Sequence, residues 1–296
     1  MITILSPILE FQATENKEGH VRMGRWRQLL LILFLLSTGA SKAEPSVAAE
    51  FLNRQTISSY RQPGEDWREI KRRVLERLQA FQPLAQLDST VFQMAGPIDQ
   101  VNVGRVQEWK DHSLVEEAFY LLRDIRFLSD PFQEPHFSRR LTWLYPDDGC
   151  YARAAVMKNL SRENGYPGTN RVFIFGDLSI KSLNSLSGEV TWWYHTAPIV
   201  RVGERLFVFD PSIEPSHPMS LMDWAQSQTR QLSSVKIAIC SPETYVPSSQ
   251  CGSPTPGEDK GAVEDLRSFL SSEWQRQLDL GRNPVATLGD HPPWLL

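Results

Sequence analysis

The chain has 296 residues, 41% of them hydrophobic, which suffices to bury the core of one large domain or two modest ones. A formal net charge of -4 at pH 7, with no basic block, gives no electrostatic reason to expect nucleic acid as a partner. Three cysteines are an odd count, and in an exported chain the economical reading is one disulfide plus one free thiol.

Residues 1–22 are polar and unpatterned and read as an over-long gene start. From Met23 the pattern changes: Arg25 and Arg27 form a positive segment, Leu29 to Leu36 an apolar run, and Ser41-Lys42-Ala43 a small-residue cleavage site. Residues 23–43 are therefore expected to be a signal peptide, with a secreted or periplasmic chain starting near Glu44. The apolar run falls well short of the ~20 residues of a membrane span, so no stable membrane anchor is expected.

Residues 44–135 form an N-terminal region expected to be mostly helical. Trp67 to Phe81 carries Ile70, Val74, Leu75, Leu78 and Phe81 on one face. Val91 to Val106 is expected to hold short strands. Ser113 to Phe127 reads as a helix capped by Ser113, with Glu116 at the capping-box position. Ser129 to Arg139, with Pro131 and Pro135, reads as a loop and a boundary.

The stretch LTWLYPDDGCYARA, Leu141 to Ala154, carries the strongest chemical signal. Leu141 to Tyr145 reads as a short strand, Pro146 ends it, Asp147 to Gly149 make a turn, and Cys150 opens a helix running to about Asn164, with Gly165 as its C-cap. A cysteine in the first helical turn meets unpaired backbone N–H groups and the positive end of the helix dipole, which favour a thiolate. The same N–H groups suit the oxyanion of an acyl-transfer intermediate.

Arg171 to Phe175 is an expected strand, followed by a polar loop at Ser182 to Glu189 and a strand pair, Thr191 to Val202 and Arg205 to Asp210. A turn with an odd number of residues would put His195 and Asp210 on opposite faces, whereas an even-numbered turn centred between Gly203 and Glu204 pairs His195 with Ser212 and Asp210 with Ala197. That makes His195 and Asp210 diagonal neighbours about 7–8 Å apart at the backbone. Pro198 lacks an N–H for the ladder, which favours a longer loop, Val202 to Arg205, over the tightest turn, with a bulge at Pro198 as the competing solution. Alternation places Trp193 and Ala197 on the face of His195, and Trp192 and Tyr194 on the other. Leu221 to Gln231 is an expected helix and Val235 to Ile239 a strand. Cys240 and Cys251 bracket a Pro- and Ser-rich loop and are the natural disulfide pair. Residues 252–260 read as a polar linker, and Ala262 to Leu280 as a helix stopped by Gly281.

Cys150, His195 and Asp210 supply a nucleophile, a general base and an orienter of that base. Each alone has an ordinary structural reading: a buried cysteine, a hydrogen-bonded histidine and a turn aspartate. Cys150 has no nearby Cys or His, and His112, His136, His217 and His291 lack ligand spacing, so neither a metal nor a cofactor is expected. Trp192, Trp193 and Tyr194 are candidates for a substrate groove, with a core role as the alternative.

At these residues the sequence resembles the bacterial protein-glutaminase family, secreted enzymes that deamidate glutamine side chains in proteins. The matching blocks are YPDDGCYARA (Tyr145 to Ala154), ENGYP (Glu163 to Pro167), VFIFGDL (Val172 to Leu178), WWYHTAPIV (Trp192 to Val200) and FVFDPSI (Phe207 to Ile213). The resemblance implies Cys150 as nucleophile, His195 as base and Asp210 as orienter. It also implies an α+β fold with a core similar to papain-like and transglutaminase enzymes, a cysteine-bearing helix packed on an antiparallel sheet. Residues 136–252 would be the catalytic domain and 253–296 a linker and C-terminal helix. Family members carry an inhibitory pro-segment, so residues 44–135 are a candidate for one, with a structural part of the mature protein as the alternative. The chain departs from the family pattern at Trp193 and Pro198. The implied substrates are proteins or peptides bearing glutamine. Transglutaminase-like transfer and cysteine proteolysis use the same triad, and an inactive secreted binding protein would keep the fold without the chemistry.

Overall fold

The computed structural model describes residues 91, 93–130, 134–247, 249–252 and 258–295. The candidate signal segment, the helix at 67–81 and linker residues 253–257 lie outside the described residues. The first described segment carries short 3-10 turns at Ile98–Gln100 and Val103–Arg105 instead of strands, with Gly96 bridging Ile237. Helix α1 spans His112–Asp124. Its cap is Asp111, not the expected Ser113: the Asp111 carboxylate accepts the Leu114 N–H at 2.9 Å, and Ser113 donates its hydroxyl to the same carboxylate. An anion at this position satisfies an orphan N–H and faces the positive helix end, so it displaces the weaker hydroxyl cap.

The stretch read as a boundary loop pairs instead as strands β1 (Leu128–Asp130) and β2 (Glu134–Arg139). Leu141 to Tyr145 is no strand but a buried irregular segment, with Leu141 and Thr142 at 1% and 0% exposure. Its apolar residues point into the core without pairing to a neighbour strand. Helix α2 then spans Cys150–Glu163, and Gly165 follows it at φ 81.

Strands β3 (Asn170–Lys181), β4 (Glu189–Val202), β5 (Arg205–Val208), β6 (Met219–Ser220) and β7 (Lys236–Cys240) form an antiparallel sheet in the order β6-β5-β4-β3-β7. Helix α3 (Leu221–Gln228) is shorter than expected, while helices α4 (Glu258–Asp279) and α5 (Pro284–Leu288) close the chain. One hydrophobic cluster joins α2 and α4 to Phe173, Tyr194 and Val200. A second joins α3 to Val172, Ile174, Ala197 and Ile199. The sheet therefore has a core on each face, and its middle strands read as nearly continuous apolar runs.

Val202 pairs with Arg205, so the β4–β5 connection is the tight turn Gly203-Glu204, with Gly203 at φ 58, and not the longer loop expected. Pro198 is accommodated at the end of the ladder. It accepts the Phe209 N–H at 3.0 Å, has no N–H to return, and the last pair is Ile199 with Val208. The chain is then free to turn away at Asp210.

The described residues include the expected disulfide, Cys240–Cys251, with Cα atoms 4.7 Å apart, and leave Cys150 as the free cysteine. None of the helices in this part of the chain is long and apolar enough to cross a membrane. Helix α4 is fastened to β2 by a buried ion pair, Arg139 to Glu273 at 2.8 Å, with side chains 1% and 3% exposed. Removing one member of such a pair strands the other charge in the core. Glu273→Ala is expected to lower unfolding free energy by about 3–5 kcal/mol in urea titration, and a loss below about 1 kcal/mol would mean the bridge is solvated.

Candidate active site

The cysteine is presented by a glycine at which any side chain would be strained. Gly149, the N-cap of α2, adopts φ 84, and a Cβ built on it would meet Phe269 of α4 at 2.8 Å. It offers no side chain to cap the helix, so the first-turn N–H groups are left to other partners. Ahead of it, the buried segment is held by side chains. Arg153 Nη1 donates to the carbonyls of Tyr145 at 3.1 Å and Asp148 at 2.7 Å, Trp192 Nε1 donates to Pro146 at 3.1 Å, and Glu273 accepts the Leu144 N–H at 2.9 Å.

Cys150 is 2% exposed and packs in the cluster that contains Tyr151, Trp193 and Tyr194. The Thr196 main-chain N–H, one residue beyond His195, is directed at its sulfur. Burial pushes the Cys150 thiol far above its ordinary value. The Arg153 guanidinium opposes that rise, the Asp148 carboxylate adds to it, the Thr196 N–H opposes it and Asp210 adds to it. This corrects the expectation of a resting thiolate. The helix end and N–H contact are present, but loss of solvent at the sulfur outweighs them.

His195 and Asp210 are brought together. The imidazole Nε2 lies 2.5 Å from Asp210 Oδ2, with side chains 1% and 4% exposed. The carboxylate also accepts Ser212 Oγ at 2.5 Å and Trp224 Nε1 at 2.8 Å. Burial alone would raise the Asp210 carboxyl, but the His195 charge and the hydrogen bonds from His195, Ser212 and Trp224 together hold it below the usual aspartate range. Sequence reasoning placed Ser212 opposite His195 without giving it a role, and it missed Trp224. Nothing in local spacing marks a tryptophan on a later helix as a partner of this carboxylate.

The faces of β4 differ from simple alternation. Trp192, not Trp193, lies on His195, with ring centroids 4.6 Å apart and planes 10° from parallel. Trp193 and Tyr194 both join the α2 cluster. The cause is a register shift between Phe175 and Leu178, where β3 carries one extra residue, and β4 changes face there. Gly176 sits in that bulge at φ 151, and a Cβ on it would meet Val235 at 2.9 Å. All three aromatic residues are buried, so they form the walls around the histidine and cysteine and not an exposed groove.

Residues 115–228, the span from α1 to the end of α3, match a glutamine-deamidase family model described as glutaminase. That segment is assigned to the glutaminase family. Three solved structures are similar to the chain. One titled pro-protein-glutaminase has 21% identity and a TM-score of 0.42, covering 57% of this chain and 61% of its own. The solution structure of protein-glutaminase from Chryseobacterium proteolyticum has 22% identity and a TM-score of 0.42, covering 55% and 88%. A further protein-glutaminase crystal structure has 20% identity and a TM-score of 0.39, covering 63% and 93%. No curated protein matches the chain. The glutaminase segment contains Cys150, His195 and Asp210, while α4, which packs on the cysteine helix, lies beyond it.

Two outcomes follow from this geometry. Gly149→Ala imposes a left-handed backbone costing roughly 1–2 kcal/mol and also collides with Phe269, so Phe269→Ala in the same chain should recover the steric share. Strict additivity of the two changes would refute the contact. For Asp210, a depressed folded value means that the carboxylate stabilises the native state above the ordinary pKa of about 3.9, and that this is lost as pH falls through the folded value. The stability gap between wild type and Asp210→Asn, read by urea unfolding, should be largest at neutral pH and narrow as pH falls below the ordinary aspartate value of about 3.9; a pH-independent gap would contradict it.

Proposed function

We propose that the protein is a secreted cysteine amidohydrolase that converts protein-bound glutamine to glutamate and ammonia, with Cys150, His195 and Asp210 as its triad. The observation that carries this reading is the buried His195–Asp210 pair, set on the strand whose main chain touches the Cys150 sulfur, inside the segment assigned to the glutaminase family.

In the proposed reaction, Asp210 engages imidazole Nε2, which leaves Nδ1 as the nitrogen that exchanges protons with the thiol. The thiol proton passes to Nδ1 as sulfur attacks the side-chain amide carbon, because the buried thiol is not ionised beforehand. Backbone N–H groups at the start of α2 receive the oxyanion. Collapse breaks the C–N bond, and the imidazolium gives its proton to the departing nitrogen, so ammonia leaves and a thioester remains. His195 then takes a proton from water, the hydroxide adds to the thioester, and collapse returns glutamate and the thiol. Asp210 orients the ring and stabilises its cation throughout. No cofactor or metal enters these steps.

The reading includes the finer architecture, a papain- and transglutaminase-like core in which the cysteine helix α2 packs on the antiparallel sheet, and a catalytic unit spanning residues 136–252. The Cys240–Cys251 disulfide and the signal-like residues 23–43 support export from the cytoplasm. The substrates are proteins or peptides presenting a glutamine side chain.

The test is ammonia release from a glutamine-rich protein, with intact mass recorded beside Cys150→Ala. Ammonia with a gain of about one mass unit per event, abolished by Cys150→Ala and reduced by on the order of 100-fold or more in Asp210→Asn, is expected. Peptide fragments would instead identify a protease, and incorporation of an amine probe a transglutaminase. Silence in all channels from folded protein would refute enzymatic function on these substrates.

A further inference from the structure

Arg153 lies three residues after Cys150 on α2, is 2% exposed, and is spent on main chain. Its Nη1 reaches the carbonyls of Thr142 at 3.4 Å, Tyr145 at 3.1 Å and Asp148 at 2.7 Å. Those bonds fix the whole segment that leads into the cysteine, yet carbonyls do not neutralise a cation. Its Nη2 makes no hydrogen bond among the described residues although it is buried. Glu273, the buried carboxylate whose charge it feels, is already engaged by Arg139 at 2.8 Å and by the Leu144 N–H at 2.9 Å. A buried guanidinium with one uncommitted nitrogen and, among the described residues, no ion-paired carboxylate is costly unless an anion forms beside it. Cys150, three residues earlier on the same helix, carries the ionisable sulfur on which this charge acts.

We propose that Arg153 is a positioning residue for Cys150, which holds the 142–148 segment in the geometry that presents the sulfur and supplies the fixed positive charge against which the thiolate develops. This deepens the proposed amidohydrolase reading and rests on it. The groups around the sulfur are Arg153 and Tyr151 of α2, Asp148 of the loop, Tyr194 of β4, and Asp210 with its partner His195. From α4, Asp265 meets the Tyr151 phenol. Of the charged side chains acting on the sulfur, Asp148 and Asp210 disfavour the thiolate and Arg153 favours it. The Arg153 charge is thus the built-in counterweight to two carboxylates, and His195 is left to carry the proton.

Iodoacetamide labelling of Cys150 in the full chain at about pH 8 needs no substrate and reads the thiolate directly. Arg153→Met should slow labelling by about tenfold or more, since one unit of thiol pKa is a tenfold change in thiolate below the midpoint. Arg153→Lys keeps the charge and loses the fork, so its labelling should stay within about threefold of wild type while kcat for ammonia release falls about tenfold at unchanged KM. Labelling of folded Arg153→Met at or above the wild-type rate would overturn the proposal, as would wild-type kcat in Arg153→Lys, which also decides the matter if the methionine variant does not fold. If wild type releases no ammonia but Arg153→Met still labels slowly, the amidohydrolase reading fails and the charge assignment stands.

Discussion

The segment from Leu141 to Asp148 has no regular structure yet is mostly buried, and that combination governs the molecule around it. Backbone polar groups taken from water must find partners, and outside a helix or sheet those partners have to be supplied one by one. Here they come from the next helix and from far along the chain: Arg153 of α2 on the Thr142, Tyr145 and Asp148 carbonyls, Trp192 of β4 on Pro146, and Glu273 of α4 on the Leu144 N–H. The segment that leads into Cys150 is thereby tied to the cysteine helix, the central sheet and the C-terminal helix.

The helix α4 is consequently more than an appendage. Phe269 fills the space that a side chain at Gly149 would take, Arg276 binds Asp147 at 2.5 Å and lies over Tyr145, and Asp265 accepts the Tyr245 phenol at 2.9 Å. Each contact falls within, or one step from, the residues that set the position of Cys150. A glycine with positive φ under an aromatic ring lets the two elements approach more closely than any side chain at that position would allow.

On the other side of the site, rigidity comes from tryptophans. His195 is stacked against Trp192 and tilted against Trp224, and Trp224 also donates to the carboxylate that holds the imidazole. Burial raises the cost of an unpaired charge and strengthens every paired one, so a carboxylate with hydrogen bonds from His195, Ser212 and Trp224 remains ionised in a site where the neighbouring thiol does not. The two groups thus rest in different protonation regimes: a carboxylate held ionised beside the histidine, and a thiol kept neutral by its burial.

Local sequence determined a great deal. The DDGC turn into a helix, the Gly165 stop, the even register of the β4–β5 pair that puts Asp210 near His195, and the Cys240–Cys251 bridge all follow from periodicity, turn chemistry and cysteine count, which act over a few residues. Other features belong to tertiary structure alone. An apolar run at Leu141 became a buried loop instead of a strand, and one extra residue in β3 moved Trp192 onto His195 in place of Trp193. The thiol likewise stays protonated against the pull of its helix, because desolvation depends on what packs around the sulfur. Sequence spacing specifies what each residue meets along its own element; which groups lose their water, and which distant side chain replaces it, is settled only when the elements pack.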